Sequence, residues 1–354
     1  MSTGFPLRPE EFDPRWVEKI LGAPSGALQS LTHKPVGTGQ VCDSFRFTCE
    51  WQEGGFPASF VAKCPSADPV SRGAAALFHL YDMEIGWYRD VAGDSDVGCP
   101  KSYHAAIGED ETQFVLMLED MAPASQGDQL AGATLTQVRS TIREAAALHS
   151  YRPASGTLDQ YSWLLHSKGN SDYLRQSLPA IYPQFCQRFA DRLSKDILDM
   201  GAELIAKLGS YLDAAPASTA LAPCITHGDM RLDNILFDDS GERAILVDWQ
   251  TTSLGNGAND IAYLIGTSFA NPAERAATEK GLVSDYLAQL RARGIDQDEA
   301  QFWKDYRRSA FSGFIMAINA SIHVEQTERG DEMFALMAER PAQMALDHNS
   351  LALL

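Results

Sequence analysis

The chain has no closely spaced cysteine pair, no long apolar run and a shortage of positive charge. Its six cysteines, Cys42, Cys49, Cys64, Cys99, Cys186 and Cys224, are scattered, with no CxxC pair and no histidine at metal-ligand spacing. They read as free thiols in a reducing compartment. No stretch of about 18 apolar residues occurs, and the start, MSTGFPLRPEEFDPRW, has no apolar leader core. The expectation is a soluble, cytoplasmic protein with no membrane partner. Against 47 acidic residues stand only 29 Lys and Arg, a formal charge of -18 with a pI near 4.8. Nucleic-acid binding rests on clustered basic side chains that neutralise phosphates, so DNA and RNA are disfavoured partners. An acidic surface can attract small cations, and it also simply keeps a protein in solution. No internal repeat or low-complexity tract stands out.

What is present is ordinary globular material: 354 residues, 45% hydrophobic and 9% aromatic, enough for two or three domains' worth of core. One stretch carries chemistry. ITHGDMRLDNILFDDSGERAILVDWQ, residues 225–250, sets a His-Gly-Asp turn before Asn234. A strand pair, 234–237 and 244–247, follows around the turn Asp238-Asp239-Ser240-Gly241 and ends at Asp248. Asp229, four residues, Asn234, then an aspartate just after a strand is the spacing of a phosphoryl-transfer catalytic loop and its metal aspartate. The Asp229 carboxylate can accept a hydroxyl proton, while Asn234 and Asp248 offer the hard oxygens that Mg²⁺ takes.

HGDMRLDNILF followed by LVDWQTTSLGNGANDIAYL resembles the aminoglycoside phosphotransferase and choline kinase superfamily, most of all its ecdysteroid-kinase-like branch. In that superfamily the loop reads HGD, and Trp249-Gln250 stands where protein kinases have Phe-Gly. The resemblance implies an α+β, two-lobed protein-kinase-like fold. An N-terminal five-stranded antiparallel sheet with one helix would lie over a mainly helical C-terminal lobe, with ATP and Mg²⁺ between them. It divides the chain into an extension with a helix (1–27), a nucleotide-binding N-lobe (28–122) and a C-lobe with the catalytic loop and substrate helices (123–354). Asp260, in NDIAYLIG, resembles the aspartate that braces the catalytic loop from behind. It reads as structural, holding backbone N–H groups near His227 and Asp229, and His227 reads as a loop-ordering side chain.

The remaining segments can be placed in order. Pro14 to Leu21 predicts a short helix closing at Gly22, and alternation through FRFTCEW suits a sheet with one buried face. Strands are expected over 28–35, 45–51, 59–63, 101–107 and 113–118. The turn 37–44, with Gly37, Gly39, Asp43 and Ser44, lies where a loop could cover phosphates, although a plain hairpin also fits a GTG between strands. Lys63 closes the third strand, where a lysine pairs the α and β phosphates. A helix over 74–91 should orient it through Glu84, with Asp82 the other candidate. Glu119, Asp120 and Met121 leave the fifth strand, and by resemblance they form the hinge whose backbone binds adenine. Residues 126–132 read as a flexible linker.

Helices are then expected over 134–149, 188–214, 272–294, 298–325 and 332–348, with 151–187 irregular and aromatic. His149 reads as a packing residue. Those aromatics read mainly as core with a possible share in the acceptor pocket, and the same two roles stay open for Asn319 and His323. Only 11 residues separate Asp248 from Asp260, too few for the activation segment that holds a peptide substrate in a protein kinase. The expected activity is therefore phosphoryl transfer from ATP to a hydroxyl of a small molecule. An apolar alcohol, steroid-like or hydroxyacyl, is favoured by the aromatic C-terminal helices, and an aminoglycoside or amino alcohol by the acidic surface. A non-catalytic nucleotide-binding relative is the alternative of another class, and oligomeric state is left open.

Overall fold

The computed structural model describes residues 4–37, 41–217, 223–323 and 326–354. The predicted phosphate-loop residue Gly39 lies outside them, as does the side chain of His323. The first helix, α1 (Pro14–Leu21), is capped by the Asp13 carboxylate, which accepts from the Arg15 N–H, and it ends at Gly22. Three strands follow, β1 (Leu28–Pro35), β2 (Cys42–Trp51) and β3 (Ser59–Pro65). Then come α2 (Pro69–Leu77), α3 (Leu80–Asp90), β4 (Ser102–Ile107) and β5 (Phe114–Glu119). The five strands form one antiparallel sheet in the order β1-β2-β3-β5-β4.

Period-2 alternation sorts the residues of this sheet between two layers. Phe47, Phe60, Ala62, Cys64, Val115 and Met117 face α1 with Phe12 and Val17, and the Phe47 and Phe60 rings stack at 4.7 Å. Phe114, Leu116 and Leu118 join Tyr81 and Ile85 of α3 on the other face. Lys63, flanked by Ala62 and Cys64, is thereby turned toward α3. That inward-facing lysine follows from strand geometry alone.

The helical part begins beyond a two-residue strand, β6 (Ser125–Gln126). It contains α4 (Leu135–Ser150), α5 (Asn170–Phe189), α6 (Lys195–Ala206) and α7 (Leu208–Ala217). The region around the His-Gly-Asp turn is built from β7 (Cys224–Thr226), β8 (Ile235–Phe237), β9 (Ala244–Leu246) and β10 (Ser253–Gly255). β6, β8 and β9 form one small sheet, and β10 pairs with β7. Five further helices close the chain: α8 (Gly257–Ser268), α9 (Pro272–Ala292), α10 (Glu299–Ser309), α11 (Ser312–His323) and α12 (Glu328–Asp347).

Several expectations are corrected. The helix expected over 74–91 is two, because the chain turns at His79, whose φ is +55°. Its true start is Asp68, which caps α2 by accepting from the Val70 and Ser71 N–H groups ahead of Pro69. Half of the segment read as irregular is α5, which runs through Pro179 and Pro183 because Leu178, Tyr182, Phe185 and Phe189 are buried in the main core. The single helices expected over 188–214 and 298–325 are each divided, the first before the Ser194 cap of α6 and the second at Ala310-Phe311. Asp43 and Ser44 belong to β2, since that strand begins at Cys42.

The expected linker 126–132 is pinned to the loop after β7. Gln129 is buried, its amide N–H donates to Thr267 O at 2.8 Å, and its Oε1 accepts the Leu232 N–H at 3.1 Å. The polar, glycine-containing composition hid these long-range partners. The aromatic set of the C-terminal helices is also core: Phe302, Tyr306, Phe311, Phe314 and Ile318 are fully buried.

Candidate functional site

The site is assembled from β3, α3, the loop after β7 and the residues after β9. Lys63 Nζ donates to Glu84 Oε1 at 2.7 Å and to Asp248 Oδ1 at 3.1 Å. Glu84 is the partner, whereas Asp82 points instead to His166 Nε2 at 3.1 Å. Burial opposes the charge on Lys63, but Asp248, Cys42 and Glu84 outweigh it and hold the ammonium well above its ordinary pKa. Burial pushes the Glu84 carboxyl up against the pull of Lys63. Glu84 also accepts the Trp249 N–H at 3.4 Å and a Gln250 amide N–H at 3.3 Å. The segment carrying Asp248 is thus tied to α3.

Asp248 has φ +66°, a left-handed conformation that costs a residue with a Cβ on the order of 1 kcal/mol or more. Its neighbours sustain it: Trp249 is buried and stacks on Trp87 at 3.6 Å, nearly parallel. The Asp248 side chain remains 41% exposed, against 11% for Lys63 and 1% for Glu84. It is the member of this trio open to a ligand.

Asp229 sits in the loop that follows β7. Its Oδ2 accepts from Asn234 Nδ2 at 2.8 Å and from Arg231 Nε at 3.2 Å, and its Oδ1 accepts from the Tyr263 hydroxyl at 2.7 Å. Burial works to raise this carboxyl, and Arg231, the Tyr263 hydroxyl and His227 overcome it, leaving its pKa below the ordinary aspartate value. Arg231 also bridges to Asp233. Backbone bonds join this loop to the segment that follows β9, since the Val247 N–H donates to Asn234 O at 3.0 Å and His227 Nε2 donates to Val247 O at 3.1 Å. Asp229, Asn234 and Asp248 are thereby brought into one region with Lys63.

The brace is visible in detail. Asp260 Oδ2 accepts the His227 N–H at 2.7 Å and Oδ1 accepts the Gly228 N–H at 3.0 Å. His149, at the end of α4, faces Asp260 through Nε2 at 3.2 Å and the Tyr286 hydroxyl through Nδ1 at 2.7 Å. Those partners put its proton on Nε2. His227 carries its own proton on Nε2 too, because Nδ1 accepts the Asp229 N–H at 3.4 Å. Gly228 has φ +81°, and a Cβ there would collide with Thr251 O, which is why the turn reads His-Gly-Asp.

The donor set suits a hard divalent cation. Asn234 spends both amide hydrogens on Asp229, on the backbone O at 3.0 Å and on Oδ2, which leaves its Oδ1 as the free donor. Asp248 gives one oxygen to Lys63 and keeps the other. One amide and one carboxylate oxygen are what Mg²⁺ takes beside phosphate oxygens and water. Among the described residues no group of three or more His, Cys, Asp or Glu forms a metal cage, so a cation here would depend on oxygens from its substrate.

The other predicted site residues are less directly placed. Gly37 has φ +76° at the end of β1, and Ser44 lies opposite Lys63 in the β2–β3 ladder. Asp43 accepts the Ala67 N–H at 2.9 Å and lies 3.5 Å from Arg8, so its carboxylate is engaged away from Lys63. Asp120 accepts from Ser59 Oγ at 2.7 Å and forms an ion pair with Arg46, whose Nε lies 2.9 Å away, fixing the exit of β5 to two other strands. Met121 O accepts the Ala124 N–H, and its own N–H has no protein partner among the described residues. A cleft of about 500 Å³ opens beside residues 119–124 and the turn 238–243. Lys63, Asp229, Asn234 and Asp248 do not line it. In α11, Asn319 Oδ1 is a buried acceptor with no protein partner.

Sequence reasoning missed Tyr263, Arg231 and Gln129, which contact Asp229 or its loop. Tyr263 had a signal, because it lies one turn beyond Asp260 on the same helix.

Comparison with known proteins gives concordant matches. The model of a family described as "Phosphotransferase enzyme family" (APH) matches residues 67–303, a span that includes Glu84, Asp229, Asn234, Asp248 and Asp260. A Ralstonia eutropha protein assigned as an aminoglycoside phosphotransferase has the same fold, with a TM-score of 0.56 at 18% identity, over 94% of this chain and 95% of that one. The ethanolamine kinase of Plasmodium vivax superposes with a TM-score of 0.55 at 11% identity, over 88% and 82%. In sequence, 126 residues, 35% of the chain, are 29% identical to "Probable acyl-CoA dehydrogenase IBR3" of Arabidopsis thaliana. The matched part is 14% of that protein's length. Among the described residues no helix is long and apolar enough to cross a membrane.

Proposed function

The chain belongs to the phosphotransferase enzyme family, and from that premise we propose that it transfers the γ-phosphoryl group of ATP to a hydroxyl of a small molecule. The observation that carries this reading is the position of Lys63 Nζ between Glu84 and Asp248, beside the loop that joins Asp229 to Asn234. A buried ammonium held by two carboxylates is poised to receive phosphate oxygens, and it costs too much to desolvate to be incidental. The sheet side, 28–122, holds the nucleotide, and 123–354 supplies the catalytic loop and the acceptor.

Lys63, oriented by Glu84, grips the α and β phosphates. Met121 offers its backbone N–H to the adenine edge, with Glu119 and Asp120 shaping that exit. Gly37, Gly39, Asp43 and Ser44 form or flank the turn over the phosphates. Asn234 and Asp248 would hold Mg²⁺, which when bound neutralises charge on the phosphates. Asp229 orients the acceptor hydroxyl and takes its proton. A carboxylate held below its usual pKa is a weak base, so it receives that proton late, as suits a loose transition state in which positioning supplies most of the catalysis.

For the acceptor we favour a hydroxyacyl group or another apolar alcohol, in keeping with the likeness to the ecdysteroid-kinase-like branch. Support comes from the resemblance of 126 residues to part of a protein named for acyl-CoA chemistry. An amino alcohol is the second reading, favoured by the charge of -18 and by the fold shared with an ethanolamine kinase. Mg²⁺-dependent ATP consumption over a panel of hydroxyacyl thioesters, sterols and amino alcohols tests both. Asp229→Asn should lower kcat on the order of a hundredfold or more with ATP binding little changed. Asp248→Ala should remove the Mg²⁺ dependence together with the activity, and wild-type turnover by either variant would refute the assignment.

A further inference from the structure

Asp260 and Tyr263 lie three residues apart on α8 and share a face. Asp260 holds the backbone of the turn through the His227 and Gly228 N–H groups. Tyr263, one turn on, reaches the side chain that the turn presents, donating to Asp229 Oδ1 at 2.7 Å. A carboxylate offers roughly four lone-pair sites. At Oδ2 both are occupied, by Asn234 Nδ2 and Arg231 Nε, while Oδ1 has accepted only Tyr263. The one open position on the carboxylate is therefore next to the phenol. Tyr263 is itself 2% exposed, so its ring cannot swing away without disturbing α8.

We propose that Tyr263 is a positioning residue for phosphoryl transfer: it fixes Asp229 Oδ1 as the station of the acceptor hydroxyl. The inference rests on the kinase reading above. The acceptor O–H donates to the open lone pair of Oδ1. As the acceptor oxygen bonds to the γ phosphorus, the bond from that phosphorus to the bridging oxygen breaks and ADP leaves. The acceptor proton passes to Asp229 and then to solvent, and Tyr263 keeps its own proton throughout.

The experiment uses the full chain with Mg·ATP alone and water as acceptor, read as phosphate release, so it does not depend on the identity of the alcohol. In Tyr263→Phe, kcat is expected to fall on the order of tenfold to a hundredfold, the worth of one hydrogen bond to a charged group. The KM for ATP should stay within about twofold, because Tyr263 contacts nothing on the Lys63 side. Site-specific incorporation of a fluorotyrosine at 263, which keeps the O–H and nearly the same shape, should hold kcat close to the wild type, and it serves if the Phe variant folds poorly. A wild-type kcat in Tyr263→Phe, or a loss in the fluorotyrosine protein as large as that in Tyr263→Phe, overturns the proposal. Asp229→Asn run in parallel keeps the two readings apart: if it hydrolyses ATP like the wild type, the kinase assignment falls and this inference with it. If it is inactive and Tyr263→Phe is normal, only the role of Tyr263 falls.

Discussion

Substituting Gly86 by alanine tests whether the ion pair of the site depends on how α3 is seated. Gly86 lies between Glu84 and Tyr88 on the buried side of α3, and a Cβ there would stand 2.5 Å from Cγ and Cδ2 of Trp163. That ring cannot yield easily, being 1% exposed and anchored by its Nε1–H to Asp90 Oδ2 at 2.9 Å. A normal carbon contact needs on the order of 3.5–4 Å, so α3 must retreat by about 1 Å. Overpacking of this kind costs about 1–3 kcal/mol, whereas glycine to alanine in a helix interior gains about 1 kcal/mol. The clash should win, with a fall in Tm of a few degrees. The site should lose more than the fold does, since a shift of about 1 Å takes Glu84 out of the 2.7 Å bond to Lys63. Mg·ATP affinity, measured by calorimetric titration, should weaken on the order of tenfold, and a Gly86→Ala/Trp163→Leu double variant should recover most of it. A Tm equal to or above the wild type with unchanged ATP affinity would refute the reasoning.

Two other outcomes follow from the loop. Gly228→Ala forces a Cβ into Thr251 O at φ +81°, and it should cost on the order of 2–4 kcal/mol in chemical denaturation together with activity; a stability loss under about 1 kcal/mol would count against the geometry. Gln129→Ala leaves the Leu232 N–H without its partner, while Thr267 O keeps the Arg340 guanidinium, so denaturation should register a loss of about 1–3 kcal/mol and kcat should fall while the KM for ATP holds.

The features legible in the sequence were those fixed by short-range geometry. Lys63 faces inward because strand residues alternate, and His227-Gly228-Asp229 is a turn because Gly228 takes φ +81°, which glycine adopts without steric cost. α1 was readable from Pro14 and Gly22. The failures have a common cause in long-range contacts. His79 breaks the expected helix in a left-handed conformation, with its Nδ1 on Glu111 at 2.6 Å and its ring stacked on His166 at 4.0 Å. None of that is visible in local periodicity. Gln129 sits in a segment whose composition suggests a linker, yet its partners are 103 and 138 residues away. Pro179 and Pro183 argue against a helix that tertiary burial nonetheless imposes.

The same division explains why the two halves of the site differ in what holds them. On the sheet side, Lys63 is steered by backbone alternation, and its partner Glu84 depends on the seating of one helix against Trp163. On the loop side, α8 supplies both Asp260 and Tyr263, and α4 supplies His149 behind Asp260. Asp260, His149, His227 and Asp229 each have partners within the cluster, and satisfied networks of this kind are rigid. Residues 248–250 belong to both halves: Asp248 is bonded to Lys63, Trp249 and Gln250 are bonded to Glu84, and the preceding Val247 N–H is tied to Asn234 O. Relative movement of sheet and helices must therefore be taken up at these three residues, where Asp248 holds a left-handed backbone. Closure around a nucleotide should consequently be felt at residues 247–250 before it is felt at Asp229. Amide exchange with and without Mg·ATP can read this directly: protection should rise more at 248–250 than at 227–230, and the reverse order would show that the loop is the softer half.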